Sequence, residues 1–190
     1  MASIMQTKKT TSPFPGSRTI RAVTKADAKE LLDIYSYYVT NTAITFEYDV
    51  PSVKEFEGRI ESITKRYPYI CAEEDGKILG YAYAAPFKER EAYKWDVELS
   101  IYVERSRRKC GLGRALYSTL EEELKKIGII NLYACIGIPN GDDDEYLNHA
   151  SQKFHEKLGF KTVGTFYNCG KKFGRWYAMI WMEKFIGKHN

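Results

Sequence analysis

Asp96-Val97-Glu98-Leu99-Ser100-Ile101-Tyr102-Val103 is followed, after Glu104, by Arg105-Ser106-Arg107-Arg108-Lys109-Cys110-Gly111-Leu112-Gly113-Arg114. The octet is rich in β-formers and reads as a strand. Beyond the polar turn, Leu112, Leu116, Leu120, Leu124 and Ile127 recur about once per helical turn, so the turn opens an amphipathic helix that Gly128 stops. Amides at a helix start are unpaired donors carrying partial positive charge. With no side chain at Gly111 and Gly113 the backbone can approach a diphosphate, and Arg108, Lys109 and Arg114 add charge. Alone, a G-x-G turn reads as readily as a loop closing against its helix. No G-x-x-x-x-G-K-[ST] string is present, and no third glycine with a following strand and acidic residue completes a dinucleotide fingerprint.

Upstream, Thr19 to Val23 alternates like a short strand, and Thr24 offers an oxygen to cap a helix with Leu31, Ile34, Tyr35 and Tyr38 on its apolar stripe. Ser52-Val53-Lys54-Glu55 has capping-box form and starts a second helix carrying Phe56, Ile60 and Ile63. Tyr69–Glu73 and Ile78–Phe87 flank Asp75-Gly76, a dipeptide suited to a tight hairpin. Downstream, Asn131–Ile136 reads as a strand and Gly137–Tyr146 as a loop with an acidic run, Asp142 to Glu145. A short helix follows with Ala150, Phe154 and Leu158 on one side and Gly159 at its end, which sets His155 off the centre of that face. Phe160–Asn168 and Arg175–Glu183 make two last strands, joined around Gly170 and Gly174. The sum is a single α/β (α+β) domain over residues 18–187, with a mixed, mostly antiparallel sheet of six to seven strands and about four helices.

The chain has 190 residues, 44% hydrophobic and 28% charged, which is ordinary globular material for one core and excludes global disorder. No apolar run approaches the ~20 residues of a membrane span. A net charge of +4 from 29 basic and 25 acidic residues is too even a mixture to imply a nucleic-acid or membrane partner. A non-catalytic module binding nucleic acid through the Arg105–Arg114 turn is disfavoured by that mixed-sign balance and by the helix-opening glycines. Cys71, Cys110, Cys135 and Cys169 form no C-x-x-C pair, so no metal site is expected; free thiols point to a reducing, cytoplasmic setting. Residues 1–17 lack a secretory apolar stretch and read as a disordered tail.

Arg108-Lys109-Cys110-Gly111-Leu112-Gly113 resembles the R/Q-x-x-G-x-G/A acetyl-coenzyme A signature of the GNAT N-acetyltransferase superfamily, placed as there between strand and helix. Asn148 to Phe160 is similar to the second cofactor segment of that superfamily, an asparagine preceding a helix that ends in Leu-Gly-Phe/Tyr. Arg66-Tyr67-Pro68-Tyr69, Gly80 to Lys88, Arg90 to Trp95 and Glu98 to Val103 resemble, in this order, hallmarks of the phosphinothricin acetyltransferase branch. The resemblance spans Ile20 to Lys184. It implies acetyl-coenzyme A as cosubstrate, a small-molecule amine as partner, and a homodimer. It places the thioester beside Ile101, Tyr102 and Val103 on a splayed strand, and the diphosphate over Lys109 to Arg114.

Acetyl transfer to nitrogen needs a neutral amine, a held thioester and a stabilised oxyanion. Glu98 matches the general base of the phosphinothricin branch, and by strand alternation it shares a face with Ser100 and Tyr102. Without the resemblance it would read as a surface carboxylate. His155 stands where many members carry a tyrosine that protonates the departing thiolate; it reads equally as a hydrogen-bonded structural residue. The resemblance places Lys88, Arg90 and Tyr93 around the acceptor, where cations suit a substrate bearing carboxylate and phosphinate- or sulfone-like oxygens. Phe46 matches an aromatic that closes that pocket, and it also reads as core. An extra loop, Gly141 to Leu147, leaves both Asn140 and Asn148 as the cofactor-contacting asparagine; Asn148, seven residues before His155, is favoured. The acceptors expected are a small amino acid or an analogue such as phosphinothricin or methionine sulfoximine, with a protein amine or another small amine as the alternative.

Overall fold

Period-two and helical-period segments alternate along the chain, and each finds its element. The computed structural model describes residues 18–107 and 110–189. The tail over residues 1–17 and the basic pair Arg108 and Lys109 lie outside the described residues. In order, the elements are β1 (Thr19–Ala22), α1 (Ala28–Asn41), α2 (Val53–Thr64), β2 (Tyr69–Glu74), β3 (Lys77–Pro86), β4 (Asp96–Val103), α3 (Leu112–Lys126), β5 (Asn131–Ile138), α4 (Ala150–Lys157), β6 (Lys161–Lys172) and β7 (Arg175–Phe185). The Ser52 hydroxyl accepts from the Glu55 amide while the Glu55 carboxylate accepts from the Ser52 amide, closing the capping box that starts α2. Asp75 and Gly76 both take positive φ, as a two-residue hairpin between β2 and β3 requires.

The seven strands form one sheet in the order β1-β2-β3-β4-β5-β7-β6. Every pairing is antiparallel except β4 with β5. Alternation along β4 sends Val97 and Leu99 into the core under α3, whose Leu112, Leu116, Leu120 and Leu124 are all buried there. Tyr102 points to the other face, among Tyr35 and Tyr38 of α1 and Tyr81 of β3. Thus α3 and α4 cover one face, and α1 and α2 cover the β2–β4 part of the other.

The expected α/β class, single sheet and mostly antiparallel pairing are all observed. Three details differ. Ile127 is 51% exposed rather than part of the stripe, because it is the C-cap residue, where the helical phase ends before Gly128 turns left-handed. β5 runs on to Ile138, since Gly137 and Ile138 pair with Met179 and Ala178 of β7. β6 extends to Lys172, so the last hairpin turns at Phe173-Gly174, while Gly170 lies within the strand beside a register shift.

Candidate active site

β4 and β5 run parallel, but their register covers Asp96, Val97 and Glu98 against Asn131, Leu132 and Tyr133 and no more. Both strands continue for five further residues, so the sheet opens between them. A cavity of about 60 Å³ lies in the opening, walled by Leu99 to Tyr102 on one side and Ala134 to Gly137 on the other. Ile44 borders it from the α1 face and Tyr117, Ser151 and His155 from the α3/α4 face. The opening therefore joins the two faces of the sheet.

The Glu104 amide donates to the Leu79 carbonyl, so by antiparallel alternation the main chain of Tyr102 points into the β3 ladder and that of Ile101 and Val103 toward the opening. The Tyr38 hydroxyl donates to the Val103 carbonyl at 2.5 Å and lies 3.4 Å from its amide. Of the three strand residues expected at the thioester, Tyr102 is thus spent on the ladder and Val103 is engaged by Tyr38, which leaves the Ile101 main chain on the opening.

Glu98 is half-buried at the base of the opening, on the face shared with Ser100 and Tyr102. Burial pushes its carboxyl above the ordinary carboxylate range, and the Lys88 cation opposes that shift. Lys88 therefore lies within electrostatic reach of Glu98, its ammonium 4.9 Å from the centre of the Phe87 ring. Phe87 stacks on Tyr133 and meets Tyr93 edge-on. Arg90, just before the 91–93 turn, is exposed. Phe46 rests over Gly137 and Gly170 and stacks with Tyr177, in keeping with its reading as core; Gly137 beneath it lines the cavity.

On the opposite face His155 is the buried residue of α4, 3% exposed, whereas Ala150 is exposed and Phe154 and Leu158 are half-buried. The expectation that it lies off the apolar face is corrected. Its polar atoms tolerate burial because both are satisfied: Nδ1 lies 2.8 Å from the Ser151 carbonyl and Nε2 lies 3.0 Å from the Tyr117 hydroxyl. A carbonyl only accepts, so Nδ1 carries the proton and Nε2 accepts from Tyr117. Burial pushes the His155 pKa down to about 4. The unfolded chain then binds a proton the native state refuses, and stability falls as pH drops from about 6.5 toward 4. The loss should reach about 2 kcal/mol at pH 5. His155→Gln should flatten that part of the stability curve in urea titrations; an unchanged acid limb would place the sensitivity elsewhere.

At the amino end of α3, Gly111 is left-handed, with φ of +80°, and among the described residues a Cβ there would meet no atom within 4 Å beyond its chain neighbours. Gly113 has a different reason to be glycine: a Cβ would lie 3.0 Å from the Phe154 ring. Its expected role in backbone approach to a diphosphate is thus joined by a packing one, between α3 and α4. The Leu112 side chain is 1% exposed in the core, so only its main chain can face a ligand. Cys110 and Arg114 are exposed at the same end. The Asn140 amide donates to the Asn168 side chain and the Trp176 carbonyl, which ties it to the β6–β7 hairpin. Asn148 stands at the start of α4, where its oxygen accepts from the Ala150 amide. Sequence reasoning passed over Tyr38 and Tyr117, which read as stripe and helix residues; their partners are 65 and 38 positions away. Among the described residues no group of His, Cys, Asp or Glu is placed to hold a metal ion, and no helix is long and apolar enough to cross a membrane.

A sheet that opens between parallel strands beside a glycine-led helix start is the architecture of an N-acetyltransferase. The chain belongs to the GNAT family: the Acetyltransferase (GNAT) domain matches residues 20–181. It is 34% identical over 167 residues to the phosphinothricin N-acetyltransferase of Streptomyces viridochromogenes, covering 87% of each chain. It is 30% identical over 175 residues to the L-methionine sulfoximine/L-methionine sulfone acetyltransferase of Salmonella typhimurium, covering 90% of this chain and 96% of the relative. The crystal structure of a GNAT superfamily phosphinothricin acetyltransferase from Sinorhizobium meliloti in complex with acetyl-coenzyme A is similar at a TM-score of 0.80 and 35% identity, over 90% of this chain and 89% of that one. The protein is a phosphinothricin N-acetyltransferase-like enzyme, as the resemblance in its sequence implied.

Proposed function

We propose that this enzyme transfers the acetyl group of acetyl-coenzyme A to the α-amine of a small amino acid or analogue such as phosphinothricin or methionine sulfoximine. The observation that carries this reading is the opening beyond Glu98, which joins a half-buried carboxylate on one face of the sheet to the α3/α4 face. The residues present fit the cosubstrate. The positive φ and open surroundings of Gly111 allow close backbone approach at the start of α3, whose first amides have no intrahelical partner. Gly111 to Arg114, with Arg108, Lys109 and Cys110, would hold the diphosphate, and Asn148 the adjoining arm. Ile101 would present main-chain groups to the thioester. When bound, acetyl-coenzyme A supplies an activated acyl carbon.

Glu98 removes the proton of the acceptor ammonium, directly or through a water. A carboxyl raised by burial is a stronger base than an exposed one, and the Lys88 cation favours its ionised form. Lys88, Arg90 and Tyr93 face the acceptor's anionic end. His155 acts through Tyr117: neutral, with Nδ1–H fixed on Ser151, it holds the Tyr117 hydroxyl hydrogen, and both side chains border the cavity. Residues 18–187 work as one domain, in the cytoplasm, as the homodimer that the resemblance implies.

Thiol release with acetyl-coenzyme A and a panel of amines tests the acceptor class. Turnover with phosphinothricin or methionine sulfoximine is expected; turnover with a peptide amine but with no free amino acid would overturn it.

A further inference from the structure

The residues between β5 and α4 are not a loose connection. Asp144 organises them: one carboxylate oxygen accepts from the Tyr146 and Leu147 amides, both at 2.8 Å. The other accepts from the Tyr177 hydroxyl at 3.0 Å and pairs with Arg175 at 3.2 Å. The loop is thereby fastened to the β6–β7 hairpin. The Ala43 amide donates to the Tyr146 carbonyl at 3.0 Å, which fastens the segment after α1 to the same loop. Leu147, Ala43 and Tyr177 are buried together with Phe46 against them, a small core separate from the two under the helices.

This small core stands at one end of the crevice. Gly137, at the edge of the opening, is covered by it: a Cβ there would lie 3.2 Å from the Ala43 carbonyl and 3.6 Å from both Leu147 and the Phe46 ring. At Gly170 a Cβ would overlap the Phe46 ring itself. The ring is also tied down through its neighbour Thr45, whose carbonyl accepts from Lys172 Nζ at 2.8 Å and whose hydroxyl lies 2.9 Å from that of Tyr35. Phe46, from the segment after α1, and Leu147, from the anchored loop, thus both pack over Gly137, the residue of β5 that lines the cavity, as an apolar wall behind it.

We infer that this loop sets the length of acceptor the enzyme takes, with Leu147 as the end wall and Asp144 as the residue that positions it. The inference rests on the acceptor reading given above. A wall of this kind discriminates by volume, and each methylene that fits or fails to fit an apolar pocket changes selectivity by about tenfold or more.

The test measures kcat and KM by thiol release for a series of linear L-2-amino acids lengthened one methylene at a time, with phosphinothricin alongside, in the wild type, Leu147→Ala, Leu147→Met and Asp144→Ala. Leu147→Ala should move the preferred acceptor to a longer side chain, raising the long-to-short ratio of kcat/KM by about tenfold. Leu147→Met should restore the wild-type preference. Asp144→Ala should raise KM for the short acceptors with little change in kcat or in acetyl-coenzyme A affinity, because its bonds run to Tyr146, Leu147, Arg175 and Tyr177 and it acts through Leu147. Should Asp144→Ala fail to fold, Leu147→Ala carries the test alone. A wild type that is active on amino acids together with an unshifted profile in Leu147→Ala overturns this inference and leaves the acceptor class standing. A wild type that acetylates no amino acid overturns the acceptor class and the inference with it.

Discussion

Glu98→Gln is expected to lower turnover by about a hundredfold or more, the usual worth of a positioned general base, while leaving acetyl-coenzyme A affinity nearly intact. The amide keeps the size and part of the hydrogen bonding of the carboxyl but cannot take a proton. Burial raises the Glu98 pKa, so the wild-type kcat/KM should climb with pH through a limb displaced upward from the ordinary ~4.3 of a glutamate. Protonated Glu98 is idle below that limb and active above it. The variant should lose the limb and keep the separate rise that comes from deprotonation of the amine itself. Steady-state rates across pH, with calorimetry of the cosubstrate, read both effects. Unchanged turnover, or a limb that survives in the glutamine variant, would remove Glu98 from the role of base.

The second large effect belongs to Gly111. Its φ of +80° suits glycine, and a β-branched side chain there incurs about 1–2 kcal/mol of backbone strain. Among the described residues, its chain neighbours aside, no atom lies within 4 Å of the position a Cβ would occupy, so valine at 111 would extend away from the core and fill the mouth of the α3 start. Gly111→Val should therefore weaken acetyl-coenzyme A binding by roughly tenfold or more, the worth of one charge-assisted hydrogen bond. Gly111→Ala separates the causes: it carries most of the strain with little of the bulk. Calorimetry and thermal unfolding of the two variants should show similar losses of stability but unequal losses of affinity. Wild-type affinity in Gly111→Val would dismiss this turn as the diphosphate site.

Much of the fold was legible because its signals are local. β4 spans the very octet that β-propensity marks, and α3 buries the leucines that recur at helical spacing. The Ser52–Glu55 box and the Asp75-Gly76 turn are likewise written within a few residues. What stayed hidden depends on distant partners. His155 looks like a polar residue off the centre of a stripe; besides the Ser151 carbonyl one turn back, its burial rests on the Tyr117 hydroxyl of another helix and on the rings of Phe154 and Phe160. Gly113 looks like one half of a phosphate motif, yet Phe154 on another helix also requires it to be small. Val103 looks available to a thioester until Tyr38 reaches it from α1. The acidic run reads only as part of a loop, but Asp144 within it is a fastening between loop and hairpin. Periodicity reports which way a side chain faces and is silent on who meets it there.

The central claim is that the parting of β4 from β5, with the amino end of α3 beside it, receives the acyl donor. A crystal structure of the protein grown with acetyl-coenzyme A tests this most directly. The expected map has the diphosphate on the amides of residues 111–114 and the acetyl group in the opening beside Ile101. Density for the ligand at any other place, with that opening clear, would contradict it.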